Sequence, residues 1–293
     1  MSNLGTVITA MITPFDEELQ VDLKKMEQLT ERLIQLGSDG LVVTGTTGES
    51  PTLTMEEGLS LYECVIKTAA GRVPVIAGTG SNNTQQSIEL TRKAEELGAD
   101  AIMLVTPYYN KPPQDALYAH FSSIASATSL PIMLYNVPGR TSRNIEAETV
   151  ARLAQIDNII AIKEASGDLD QVSKIRRLTP PEFTIYSGDD SLTLPIMAVG
   201  GKGVVSVASH IVADRIQTMV KAFKCGQVEE AARCHRELLP IFQAMFVTTN
   251  PIPVKAALKL TGFDVGGLRL PLAEATTEEV AFIKQVLVEA ALL

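Results

Sequence analysis

The sequence of 293 residues is short of cysteine, short of positive charge and free of long apolar runs, and each shortage removes a class of protein. Three cysteines, Cys64, Cys225 and Cys234, are too few and too odd in number for a disulfide framework, so a reducing compartment is expected. Acidic residues outnumber basic ones, 34 against 25, and the net charge of −9 repels phosphate-rich surfaces; neither nucleic acid nor an anionic membrane is expected as a partner. No stretch approaches the roughly 20 apolar residues that a membrane-spanning helix needs. The opening residues, Met1 to Gly5, run into an expected strand without the basic-then-apolar order of a secretory leader. A cytoplasmic location is the expectation. The three histidines, His120, His210 and His235, stand on separate segments without ligand spacing, so no metal site is expected; His235, on an apolar helical stripe, is expected in the core. No glycine-rich nucleotide motif accompanies a strand-to-helix junction, and Gly200-Gly201-Lys202-Gly203 precedes the last expected strand, where it reads as a turn rather than a phosphate loop.

What is present is a globular composition, 45% apolar and 20% charged, organised as a repeated alternation. Short runs rich in β-branched residues occur at Thr6–Thr9, Leu41–Thr44, Val75–Ala77, Ala101–Val105, Pro131–Tyr135, Ile159–Ile162, Phe183–Tyr186 and Val204–Val207. Between them lie helical patterns: Leu23, Met26, Leu29, Leu33 and Leu36 share one face after Asp22 and stop at Gly37, and Thr54 with Glu57 forms a capping box. Asn83 or Thr84 starts the next helix. Strands joined by helical crossovers are parallel and buried on both faces, which explains their nearly unbroken apolar character. The expected architecture is an α/β (β/α)₈ TIM barrel over residues 1–226, with an open doubly wound sheet as the alternative. From Val228 the strand signal ends, and residues 227–293 are expected as a small C-terminal helical appendage, with further helices opening at Pro253 and at Thr276 or Thr277.

In such a barrel the C-terminal strand ends share one mouth, so unusual residues there are the first candidates for chemistry. Lys163 closes the apolar run Ile159–Ile162, where an ammonium is costly to desolvate; burial favours the neutral amine, which attacks ketones. The alternative is a lysine paired with Glu164 at the rim. Tyr135 ends the neighbouring strand and is placed to move protons for Lys163, or else fills the mouth as a packed aromatic. Thr46 and Thr47 stand on a glycine-flanked turn whose hydroxyls and N–H groups suit a carboxylate, though a tight strand-to-helix turn alone explains the glycines. Arg140, in a loop after Pro138-Gly139, suits a second carboxylate or a surface ion pair. Asp189-Asp190 reads as a helix cap.

Taken in order, GTTGESPTL (45–53), AGTGSNNT (77–84), VTPYYNKP (105–112), YNVPGRT (135–141), IKEASGD (162–168) and YSGDD (186–190) resemble the 4-hydroxy-tetrahydrodipicolinate (dihydrodipicolinate) synthase family of the N-acetylneuraminate lyase superfamily, over nearly the whole chain. The resemblance implies a class I aldolase-type lyase of the diaminopimelate and lysine pathway. In it Lys163 forms a Schiff base with pyruvate and the enamine condenses with L-aspartate 4-semialdehyde, without metal or organic cofactor. Tyr135, Thr46 and Tyr109 would be the proton relay, Thr46 and Thr47 the carboxylate site, Arg140 the clamp on the semialdehyde, and carbonyls around Gly188 and Val205 part of the lining. A homotetramer, a dimer of dimers with Tyr109 crossing an interface, is implied as well. Arg140 and Tyr109 separate this reading from the runner-up, a sialic-acid or keto-sugar-acid lyase of the same superfamily. One departure stands out: where lysine-inhibited members carry two histidines and a glutamate, the matching positions here are Met55, Gly58 and Gln86, so weak or absent feedback by lysine is expected.

Overall fold

In the computed structural model, which describes residues 4–293, the short β-branched runs all form parallel strands. The expectation about the opening residues lies, for Met1 to Asn3, outside the described residues. The strands are β1 (Val7–Ala10), β2 (Gly40–Val43), β3 (Val75–Gly78), β4 (Ala101–Val105), β5 (Ile132–Asn136), β6 (Ile159–Glu164), β7 (Thr184–Ser187) and β8 (Gly203–Ser206). Each pairs with the next, and β8 closes on β1 with Val204 opposite Val7. Closure rules out the open sheet.

Strand alternation divides the core into two shells. Ile8, Val42, Ile76, Met103, Met133 and Val205 fill the barrel, while Val7, Leu41, Val43, Ile102 and Leu134 face outward against the helices. Those helices are α1 (Leu23–Leu36), α2 (Met55–Ala69), α3 (Thr84–Glu96), α4 (Gln114–Ala125), α5 (Pro138–Thr141), α6 (Ala147–Leu153), α7 (Leu169–Leu178), α8 (Thr193–Ala198) and α9 (Ser209–Lys224). Their ends follow local chemistry. The Asp22 carboxylate accepts from Lys25 N and starts α1, and Gly37, at φ 108°, ends it in the left-handed region open to glycine. Thr54 and Glu57 form the capping box of α2, and Asn83 caps α3.

After the barrel come α10 (Val228–Ala244), α11 (Ile252–Leu260) and α12 (Thr277–Glu289). Pro253 falls in the first turn of α11, and Thr276 with Glu279 boxes the start of α12. His235 departs from expectation: it is half-buried on α10, its ring 6.3 Å from that of Phe242, because the buried face of α10 runs through Ala231, Cys234, Leu238, Ile241 and Phe242 and leaves His235 on its flank. Among the described residues no helix is long and apolar enough to cross a membrane.

The glycine run before β8 is structural. Gly200 takes φ +103°, and a Cβ on Gly203 would lie 2.0 Å from the Thr6 carbonyl oxygen, so β8 reaches β1 only with a bare backbone there. Gly203→Ala is therefore expected to destabilise the fold by at least about 3 kcal/mol, the upper end for overpacking, read as a lowered urea midpoint. A midpoint equal to the parent's would contradict this packing.

Candidate active site

The C-terminal strand ends surround a cavity of about 190 Å³ lined by Thr46, Thr47, Tyr135, Arg140, Lys163 and Gly188, with Met103, Val207, Phe246 and Asn250 among the other residues of its wall. A larger hollow of about 350 Å³, bordered by Ile156, Ile160, Phe183 and Lys202, lies at the opposite strand ends, away from these groups.

Two adjacent strands set the centre. In the β5–β6 ladder Tyr135 pairs with Lys163 and Asn136 with Glu164. Because successive side chains point to opposite faces, Tyr135 and Lys163 face the barrel interior while Asn136 and Glu164 face out. Glu164 is consequently no partner for Lys163. Its buried carboxylate accepts from Asn136 Nδ2 at 3.0 Å, Ser166 N at 2.7 Å and Gln171 Nε2 at 3.1 Å, which locks the ladder from behind. Inside, Lys163 is 5% exposed and its Nζ lies 4.3 Å from the centroid of the Tyr135 ring. The lysine stem runs against Gly188, where a Cβ would sit 3.1 Å from both Cγ and Cε.

Burial pushes the Lys163 amine down to about 8; the negative Asp190 opposes that shift and the positive Arg140 adds to it. Burial raises the Tyr135 phenol, while the Arg140 charge and a hydrogen bond with the Thr46 side chain pull it back. Burial thus favours the uncharged form of both groups, a neutral amine beside a protonated phenol that can donate its proton.

The turn after β2 is a short 3₁₀ segment, Thr46–Gly48, whose leading N–H groups have no preceding turn to bond and so suit an anion. Thr47 Oγ1 accepts from Asn250 Nδ2 at 2.9 Å, leaving its own hydroxyl proton to donate. Arg140, on α5, reaches the cavity and donates to the Asn250 carbonyl at 3.4 Å rather than to a surface carboxylate.

Two expected site residues are placed elsewhere. Val205 is packed inside the barrel with Ile8 and Tyr186, and Val207 lines the cavity instead, because β8 ends at Ser206 and its last residues rise to the mouth. Tyr109, 89% exposed and at φ +71° in the loop after β4, does not border the cavity of its own chain.

Residues missed from the sequence are Asn250, Phe246 and Asp190. Asp189 does cap the turn at Asp190–Leu192 by accepting from Ser191 N. Asp190, however, is buried and accepts from Ser206 Oγ and from Val207 N and Ala208 N, both at 3.0 Å, so it fixes the wall after β8. The other histidines are structural in place: His210 is buried between Ile12 N and Val207 O, and His120 contacts Thr84 Oγ1 at 2.9 Å.

Comparison with known proteins adds an independent line. The family model of the dihydrodipicolinate synthetase family matches residues 3–290. A 4-hydroxy-tetrahydrodipicolinate synthase of Halalkalibacterium halodurans is 59% identical over 277 residues, 94% of each chain. A dihydrodipicolinate synthase of Bacillus anthracis superposes with a TM-score of 0.96 at 51% identity, over 98% of this chain and 99% of that one. One from Cyanidioschyzon merolae, solved with lysine bound, gives 0.98 at 50% identity over 99% of each.

The amine's depressed basicity has a direct readout. In competitive acylation across pH with mass mapping, the reactivity of Lys163 is expected to rise tenfold per unit and level off near pH 8, whereas exposed lysines continue rising to roughly 10.4. A Lys163 profile that follows the exposed lysines would remove the basis for a neutral amine.

Proposed function

The chain belongs to the dihydrodipicolinate synthetase family, and from that premise we propose that Lys163 is the residue through which it condenses pyruvate with L-aspartate 4-semialdehyde to 4-hydroxy-tetrahydrodipicolinate. The observation that carries the assignment is the amine itself, buried at the barrel mouth, held over Tyr135 and lowered to about 8.

The chemistry follows from the geometry. Thr46 and Thr47 hold the pyruvate carboxylate with hydroxyls and turn N–H groups, which brings the keto carbon to Lys163 Nζ. The neutral amine attacks C2, the carbinolamine loses water with a proton supplied through Tyr135, and an iminium remains. That iminium draws the electrons of a methyl C–H bond, whose proton leaves to the phenolate of Tyr135, giving an enamine. The enamine carbon attacks the aldehyde carbon of the second substrate, held by Arg140 at its carboxylate; the nitrogen returns to an iminium and the aldehyde oxygen takes the proton from Tyr135 to become a hydroxyl. The substrate's own amine then displaces Lys163, closing the ring and freeing the lysine. Tyr109 takes part from a neighbouring subunit, consistent with its exposure in its own chain, and the assembly is a homotetramer working in the cytoplasm. The last three helices, residues 227–293, are an appendage that completes the mouth rather than an independent unit.

Arg140 distinguishes the second substrate. Arg140→Ala is expected to lower kcat/KM for the semialdehyde by about 10²-fold while changing the KM for pyruvate far less, with N-acetylmannosamine and glyceraldehyde inactive in both forms. Equal loss toward both substrates, or turnover of either sugar, would point to a different aldehyde partner.

Feedback is weak by the same reasoning. Met55, Gly58 and Gln86 line a second cavity of about 280 Å³ with Ser50 and Tyr108. Met55 and Gly58 bring no charge or hydrogen-bonding group to that cavity and Gln86 only a neutral amide, so the charged groups of an amino-acid ligand would lose much of their compensation there. Initial rates with and without millimolar L-lysine are expected to be equal; strong inhibition would refute this.

A further inference from the structure

Besides Lys163 the chain buries a second amine close to the mouth, and the reaction does not use it. Lys255, on α11, is 3% exposed; its Nζ lies 2.6 Å from Glu49 Oε1 and donates to the Gly267 carbonyl at 2.7 Å. The face of the Phe15 ring covers the amine at 4.4 Å. Glu49 is equally enclosed, and its Oε2 accepts from Arg269 N at 3.1 Å. The pair does not line the substrate cavity, so it contacts no reacting atom.

Its place in the chain is what matters. Glu49 immediately follows the turn Thr46–Gly48 and closes it, donating its N–H to Thr46 O at 3.1 Å from a backbone at φ 56°. A residue with a side chain holds that left-handed conformation only where its surroundings over-determine it. Here they do: the side chain is pinned by Lys255 and by the Arg269 backbone, both from the C-terminal region, while Thr13 Oγ1 donates to the Gly48 carbonyl at 2.6 Å. The same turn is gripped at Thr47 by Asn250, which precedes α11. Asn250 and Lys255 thus hold one turn, at its middle and at its closing residue, from one short stretch of chain.

We propose that the Glu49–Lys255 ion pair is the positioning device of the carboxylate-binding turn, so that α11 sets how tightly the enzyme holds its keto acid. Removing one partner leaves a buried charge uncompensated, whereas replacing both with neutral side chains of similar shape removes the electrostatic lock and keeps the packing. The role rests on the Schiff-base reading given above, and the test separates the two.

The test compares the parent with Glu49→Gln/Lys255→Met, confirmed as folded by circular dichroism. The readouts are the pyruvate concentration that half-saturates borohydride trapping and the KM of each substrate. Half-saturation and the pyruvate KM are expected to rise about tenfold or more, as displacement of a binding group does. Maximal trapping and the semialdehyde KM are expected to stay as in the parent. Lys255→Arg, which keeps the charge opposite Glu49, is expected to shift pyruvate less than the double variant. If the double variant fails to fold, Glu49→Asp, which withdraws the carboxylate while keeping its charge, supplies the comparison with the same selective loss expected. Parental half-saturation in a folded variant would overturn the proposal, as would an equal loss for both substrates, which marks a general strut. Absence of any adduct in the parent would instead overturn the Schiff-base reading and this role with it.

Discussion

An ammonium withdrawn from water governs the design of this molecule. Lowering Lys163 from an ordinary lysine to about 8 corresponds to about 3 kcal/mol of preference for the neutral form, and the protein supplies it by surrounding the amine with barrel walls rather than with a carboxylate. The outward-facing Glu164 shows how that is arranged. It stands next in sequence, yet strand alternation turns it away and Asn136, Ser166 and Gln171 occupy it. A one-residue slip of β6 would put the carboxylate inside and the amine outside. The register that pairs Tyr135 with Lys163 therefore decides which side chains enter the barrel.

The remaining groups are arranged around that amine by distant parts of the chain. Asp190, tied to the backbone after β8, keeps some of the lysine's basicity, and Arg140 works against it. The turn after β2 is held from the C-terminal side by Asn250 at Thr47 and by Lys255 at Glu49. A barrel of short strands thus presents Lys163 and Tyr135 at its mouth, and the chain after it holds the turn that follows β2. Rigid attachment of this kind is what alignment of a small ligand requires, since errors of an ångström are costly.

Much of this was legible in the residues. Parallel strands covered on both faces must be apolar throughout, so each one stood out as a run, and the caps at Asp22, Thr54 and Thr276 marked helix starts because their side chains bond the next turn. Strand ends were less visible. The run at 159–162 continues as strand to Glu164, since the polar Lys163 and Glu164 keep their places in the ladder opposite Tyr135 and Asn136. Lys163, Tyr135, Thr46, Thr47 and Arg140 border one cavity because strand ends in a barrel converge; Val205 does not border it, because its side chain points into the filled interior rather than the mouth. Asn250 and Lys255 carried no local signal, as each acts on a turn some two hundred residues away, 203 for the Asn250–Thr47 bond. Nor does one chain reveal what an exposed Tyr109 meets.

The most direct measurement is peptide mapping of the parent chain after borohydride reduction in the presence of pyruvate. A single stable adduct, on the peptide that contains Lys163, is the expected result. An adduct on Lys255 or on any other amine, or none at all, would contradict the assignment of Lys163 as the Schiff-base lysine.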